Sequence, residues 1–172
     1  MKKFLLLSIV ILVAFSCKSD KKEESKPAIE TTVYYLIRHA EKDRTTTDED
    51  PNLTEIGLKR ANNWAEIFKD IKIDHIYSTD YKRTQQTAAP VASAKNLEIL
   101  SYDPSHLYND DFKNSTKGKT VLIVGHSNTT PVFVNTIIEK QEHQQMDDKD
   151  NGKLFIVTIK NDTTAVEIKN YN

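Results

Sequence analysis

Apolar and polar residues change places along this chain with two different periods. Residues 33–37, Val-Tyr-Tyr-Leu-Ile, form a continuous apolar and aromatic run, as expected of a strand buried on both faces. Between residues 53 and 71 the period lengthens. Ala61, Trp64, Ala65, Phe68 and Ile71 share one helical face, Lys59, Arg60, Asn63 and Lys69 lie off it, and Thr54 stands as the N-cap. Residues 74–78 predict a short second strand. Residues 80–95 predict a second helix with Ala88, Val91 and Ala92 inward, and residues 97–100 a third strand. Pro90 inside the second helix predicts a kink or an early stop. Residues 101–119 read as a loop with room for one short helix, and residues 120–126 are the clearest strand of the chain. Thr130-Pro131 offers an N-cap followed by proline at the first helical position, with Val132, Val134, Ile137 and Ile138 as the apolar face. Residues 153–159 and 164–168 predict a closing hairpin around Asn161-Asp162. Strands alternating with helices give the α/β class: a three-layer αβα sandwich with a mainly parallel central sheet.

The N-terminal apolar run has a different origin. Met1-Lys2-Lys3 is basic, residues 4–15 are almost wholly apolar, and Ser16-Cys17 follows. This is the layout of an export signal, and the run is short for a membrane span. Cys17 is the only cysteine, so no internal disulfide can form, and its position after Val13-Ala14-Phe15-Ser16 resembles a bacterial lipobox. The expected organisation is a signal peptide over 1–16, a lipidated Cys17 heading a disordered tether over 17–32, and one domain over 33–172. Such a protein is exported and held at the cell envelope, facing the periplasm or the surface, by its lipid anchor. The tether is charged and nearly free of large apolar residues, which favours disorder. The formal net charge is −1 and becomes more negative once Lys2 and Lys3 are removed. Nothing in it suggests a nucleic-acid surface.

Functional groups gather where the strands end. The first strand exits into Arg38-His39-Ala40-Glu41, the second leads from Ser78 to Arg83, and the fourth exits into Gly125-His126-Ser127-Asn128. In a sheet of this kind, ligands bind beyond the carboxyl ends of the strands. Two arginines present planar forks of donors that match a tetrahedral oxyanion. Two histidines can hold or release protons near neutral pH. A helix starting near Thr129 or Thr130 adds its positive end. An imidazole in such a cradle can attack phosphorus and form a phosphohistidine. A metal hydrolase built on His39, Glu41 and His126 is disfavoured, because the two arginines repel a cation. Lys42 and the Asp147–Asp150 run read as solvated loop and turn, and the acidic run lacks the spacing of a calcium loop.

Four segments in this order, Arg38-His39-Ala40-Glu41-Lys42, Leu53-Thr54-Glu55-Ile56-Gly57, the stretch from Ile76 to Ala88, and Val124-Gly125-His126-Ser127-Asn128, resemble the histidine phosphatase superfamily. That group includes the cofactor-dependent phosphoglycerate mutases, and the likeness runs from Val33 to about Ile138. The resemblance implies a phosphoglycerate mutase-like fold and a phosphatase that uses neither metal nor cofactor. It implies His39 as nucleophile, Arg38 and Arg83 as phosphoryl ligands and His126 as the second histidine, with Ser78 and Asn128 in the pocket wall. The substrate would be a phosphorylated small molecule or a phosphoprotein. The sequence departs from the family at the proton donor. Asn109 stands where larger members carry a glutamate, which leaves Glu41, Asp110, Asp111 and His106 as candidates. The alternative is a catalytically weak envelope protein that binds phosphorylated ligands. The oligomeric state is not readable.

Overall fold

The computed structural model describes residues 30–161 and 163–172. The signal segment, Cys17 and most of the tether lie outside the described residues, as does Asp162. Ten elements follow one another: β1 (Thr31–Arg38), α1 (Glu55–Ile67), β2 (His75–Ser78), α2 (Lys82–Lys95), β3 (Ile99–Ser101), α3 (Asp110–Thr116), β4 (Thr120–Gly125), α4 (Thr129–Ile138), β5 (Lys153–Lys160) and β6 (Thr163–Asn170).

The strands form one six-stranded sheet in the order β3-β2-β4-β1-β5-β6. β1 with β4, β2 with β4 and β2 with β3 run parallel; β5 and β6 add an antiparallel edge. Strand residues alternate between the two faces. Ile37, Ile76, Leu122 and Val124 meet Trp64 and Phe68 from the first helix segment and Ala88 and Val91 of α2 on one face. Tyr34, Leu36, Val121 and Ile123 meet Phe133, Val134 and Ile137 of α4 on the other, with Phe112 of α3 at the margin. Helices therefore cover both faces of the sheet, and the three-layer αβα arrangement with a mainly parallel sheet is the observed fold.

Element ends differ from the sequence pattern for local reasons. β1 begins at Thr31, because Thr31 and Thr32 pair with Lys160 and Ile159 of β5. α1 stops at Ile67, and Phe68 serves as its C-cap while its ring is fully buried. α2 runs through Pro90 to Lys95 without the predicted stop. Its face of Thr84, Thr87, Ala88, Val91 and Ala92 is buried, and tertiary packing outweighs the one backbone bond that proline removes. α4 starts at Thr129 with Asn128 as N-cap, so Pro131 sits in the first turn, where it is tolerated.

The register sets the site. Arg38 lies opposite Gly125, and the His39 N–H donates to the Gly125 carbonyl at 2.9 Å, which carries the ladder one residue past the strand end. Ser78 lies opposite Val124. The ends of β1, β2 and β4 thus open side by side at one edge of the sheet.

Candidate active site

At that edge a cavity of about 380 Å³ is lined by Arg38, His39, Lys42, Arg44, Tyr81, Arg83, Pro104, His126, Ser127, Asn128, Thr129 and Asp148. The sequence-predicted Arg38, His39, Arg83, His126 and Asn128 all stand in its wall.

His39 is held at its main chain and at its ring. Asn151 Nδ2 donates to the His39 carbonyl at 2.8 Å, and Thr87 Oγ1 accepts from the N–H of Ala40 at 2.9 Å. Thr87 in turn donates to the carbonyl of Arg83 at 2.7 Å, which ties the end of β1 to the start of α2. The ring Nδ1 lies 2.7 Å from the Ala40 carbonyl oxygen. A carbonyl only accepts, so Nδ1 carries the proton and Nε2 carries the lone pair. Among the described residues the ring's one hydrogen bond is this Nδ1 contact. Burial, reinforced by Arg38, His126 and Arg83, pushes the His39 pKa down to about 3. The imidazole is therefore neutral across the physiological range.

His126 faces His39 with ring centroids 5.5 Å apart and planes at 67°. Its pKa is pushed down to about 4 by burial and by Arg83, Arg38 and Lys42. Nε2 lies 2.9 Å from Thr79 Oγ1, and Tyr81 meets the ring edge-on at 5.1 Å.

The two arginines are fixed by aspartates. Arg38 is 2 % exposed; Nη1 donates to the Asp147 carbonyl at 2.8 Å and Nη2 to Asp148 Oδ1 at 3.1 Å. Arg83 lies over the Tyr81 ring, with Cζ 4.2 Å from its centroid, and Nη1 donates to Asp50 Oδ1 at 3.2 Å. Asp50 also accepts from the Lys82 N–H. In both arginines Nε is buried with no partner among the described residues. Two buried donors left unmet beside a cavity that also holds Lys42 and Arg44 give an arrangement that can receive an anion. α4 opens at the same wall through Ser127, Asn128 and Thr129, so its positive end adds to the field.

Several predicted residues are placed elsewhere. Glu41 does not line the cavity. Its carboxylate is gripped by Arg60 of α1, Nη2 to Oε1 at 2.7 Å and Nε to both oxygens at 2.9 and 3.0 Å. Burial works to raise its pKa, but hydrogen bonds from Arg60 and the backbone outweigh it and hold Glu41 below the usual carboxylate range. A carboxylate held this way at neutral pH has no proton to give. The Leu53–Gly57 motif serves this anchoring. Thr54 N–H donates to the Glu41 carbonyl at 2.8 Å, and any Cβ on Gly57 would clash with that oxygen. Ser78 is fully buried, donates to the Thr79 carbonyl and does not reach the cavity. Its side chain follows Ile76 into the interior because strand residues two apart share a face. Asp110 and Asp111 open α3 at the surface, and His106 pairs with Asp103 on an exposed loop; none of the three lines the cavity. The trio His39, Glu41 and His126 does not assemble, and among the described residues no group of three or more His, Cys, Asp or Glu could hold a metal ion.

Sequence reasoning missed other members. Lys42 is a half-buried cavity residue rather than a solvated one; burial and the neighbouring Arg83 and Arg44 lower its pKa. Asp147 and Asp148 clamp Arg38 instead of forming a free turn, and Asp148 also pairs with Arg44 at 3.5 Å. Thr79 and Asn151 carried no signal beyond their polarity.

Residues 34–104 match the family model of the histidine phosphatase superfamily (branch 1). The match contains Arg38, His39 and Arg83 and stops before His126, which the geometry adds. Phosphoserine phosphatase 1 of Hydrogenobacter thermophilus is 40% identical over 73 residues, covering 40% of this chain and 35% of that protein. The chain thus matches about a third of that relative's length. Among solved structures, phosphoglycerate mutase from Bacillus anthracis superposes with a TM-score of 0.60 at 16% identity, over 81% of this chain and 92% of that one. A phosphoserine phosphatase variant from Entamoeba histolytica, solved with phosphoserine, gives 0.63 at 16% identity over 78% and 94%. At such identity these likenesses show the fold, which is phosphoglycerate mutase-like.

Proposed function

We propose that this chain, with a histidine phosphatase segment on a phosphoglycerate mutase-like fold, is a phosphatase that works through a phosphohistidine on His39 Nε2. The observation that supports this most is the protonation state fixed at His39. The Ala40 carbonyl takes the Nδ1 proton, and Nε2 is left as a lone pair in a cavity of cations. A phosphoryl group seated between Arg38 and Arg83 presents phosphorus to that lone pair. The P–O bond to the leaving group breaks as the N–P bond forms. The arginines and the end of α4 stabilise the charge on the equatorial oxygens. Water then attacks the phosphohistidine, releases phosphate and restores His39.

The test is hydrolysis of p-nitrophenyl phosphate in the presence of EDTA. We expect turnover that persists with the chelator and is competed by vanadate, which takes the phosphoryl position. Vanadate or phosphate binding without turnover would instead make the chain a binder of phosphorylated ligands. Turnover that vanadate does not touch would place the chemistry outside this cavity.

Export and lipid anchoring belong to the same proposal and rest on the Met1–Cys17 sequence. Mass spectrometry of the mature protein is expected to find a lipidated Cys17 at the N-terminus. An unmodified Cys17 in the envelope protein would refute the anchor.

A further inference from the structure

We propose that His126 carries the proton for this reaction on Nδ1, and that Thr79 and Thr84 act as positioning residues by holding its other nitrogen. The inference rests on the phosphatase reading above and assigns the proton donor that the reading leaves open.

Counting hydroxyl protons gives the direction of each bond. Thr84 Oγ1 has a single proton and lies 2.8 Å from the Tyr81 carbonyl and 2.9 Å from the Thr79 carbonyl. Both partners only accept, so the proton goes to one of them. At the 3.0 Å contact between the two hydroxyls the donor is then Thr79. Its own single proton is spent there. At the 2.9 Å contact with His126 Nε2 the donor must therefore be the imidazole. The chain runs one way, from His126 Nε2–H to Thr79 to Thr84 to a carbonyl. Thr79 and Thr84 are 1% and 0% exposed, so water does not compete for these bonds.

The consequence falls on Nδ1. In the neutral ring it holds the lone pair. Among the described residues the ring's one hydrogen bond is the Nε2 contact with Thr79, and His126 lines the cavity. The carboxylates around the cavity are engaged: Asp148 with Arg38 and Arg44, Asp50 with Arg83, Glu41 with Arg60. Nδ1 is the position where a proton can be taken up together with an anionic substrate. The charged and titratable groups around the ring are Arg83, Arg38, Lys42, His39, Tyr81 and Asp50. The cations disfavour the imidazolium until a phosphate dianion offsets them.

The steps balance. As His39 Nε2 forms its bond to phosphorus, the ester P–O bond breaks and the leaving oxygen takes the proton from His126 Nδ1. In the second step water attacks phosphorus and gives its proton to Nδ1. The N–P bond breaks with its electron pair returning to His39, and phosphate leaves.

Nitrogen-15 NMR of the imidazoles and a leaving-group series test this in the wild type, Thr79→Val, Thr79→Ser and Thr84→Val. In the wild type the neutral His126 is expected with a protonated Nε2 and a bare Nδ1. Thr79→Val removes the acceptor, and Thr84→Val frees the Thr79 proton to turn toward Nε2. Both should move the ring proton to Nδ1, and both should slow alkyl phosphates by about tenfold, with a smaller effect on p-nitrophenyl phosphate. Thr79→Ser should restore both the tautomer and the rate. A protonated Nδ1 in the wild-type neutral ring, or equal slowing of alkyl and aryl substrates, overturns the inference. The NMR reading is independent of turnover. A wild type inactive on every phosphate would refute the phosphatase reading while leaving the tautomer assignment standing.

Discussion

Replacing His39 by alanine is expected to lower turnover of p-nitrophenyl phosphate by about 10⁴-fold or more, because it removes the nucleophile itself, and His126 Nδ1 holds a proton rather than a lone pair once the anionic substrate is bound. The fold should persist, since the bonds of the His39 N–H, the His39 carbonyl and the Ala40 N–H do not involve the ring. The same variant carries a pH signature. His39 titrates near its ordinary value of about 6.5 in the unfolded chain and at about 3 in the folded one. Between these values the unfolded chain binds more protons, so wild-type stability falls as pH drops from the upper value toward the lower. His39→Ala removes that loss. The variant should lose less melting temperature than the wild type between neutral pH and about pH 4.5, a window that follows from the same shift. Near-wild-type turnover in the variant would remove His39 from the chemistry. An unchanged acid sensitivity would mean that the imidazole is not held neutral.

The second large effect is at Arg83. Its removal deletes one of the two buried Nε donors and one side of the charge clamp. Arg83→Ala is expected to lower kcat/KM by about 10²- to 10³-fold, the range for losing a group that stabilises transition-state charge. It should weaken vanadate inhibition in parallel. Arg83→Lys should recover little, since an ammonium lacks the planar fork that bonds Asp50 through Nη1 and keeps its other donors in fixed directions. Stability should change little compared with the same change at Arg38, whose guanidinium ties down the 147–148 segment. Measurement of kcat/KM and vanadate affinity on both Arg83 variants decides the point. A change of less than about threefold would place Arg83 outside the clamp, because a charge-assisted hydrogen bond contributes more than that.

Much of this was legible along the chain, and the reason is local. The strand ends announce themselves where an apolar run breaks into Arg38-His39 or Gly125-His126, and parallel pairing brings such ends to one edge. The helical face of α1 was readable because its period is local too. What the sequence hides is contact at long separation. Arg60 captures Glu41 from 19 residues away, Asp147 reaches Arg38 across 109, and Asn151 reaches His39 across 112. No periodicity encodes such meetings. Ser78 is the instructive error. Its alternation with Ile76 in the buried pattern of β2 placed it inward, and one residue further on Thr79 turns toward His126. A strict reading of the two-residue period would have exchanged the two. Lys42 and Asp148 were passed over because isolated charges on loops usually remain in solvent; here each borders a cavity whose walls come from other strands.

The central claim is a double displacement through His39, and the stereochemical course at phosphorus tests it most directly. With a phosphate ester made chiral by oxygen isotopes and transferred to an acceptor alcohol, two in-line displacements give retention of configuration, which is the result predicted here. Inversion would mean that the acceptor attacks the substrate phosphorus in a single step, and it would contradict a phosphohistidine on His39.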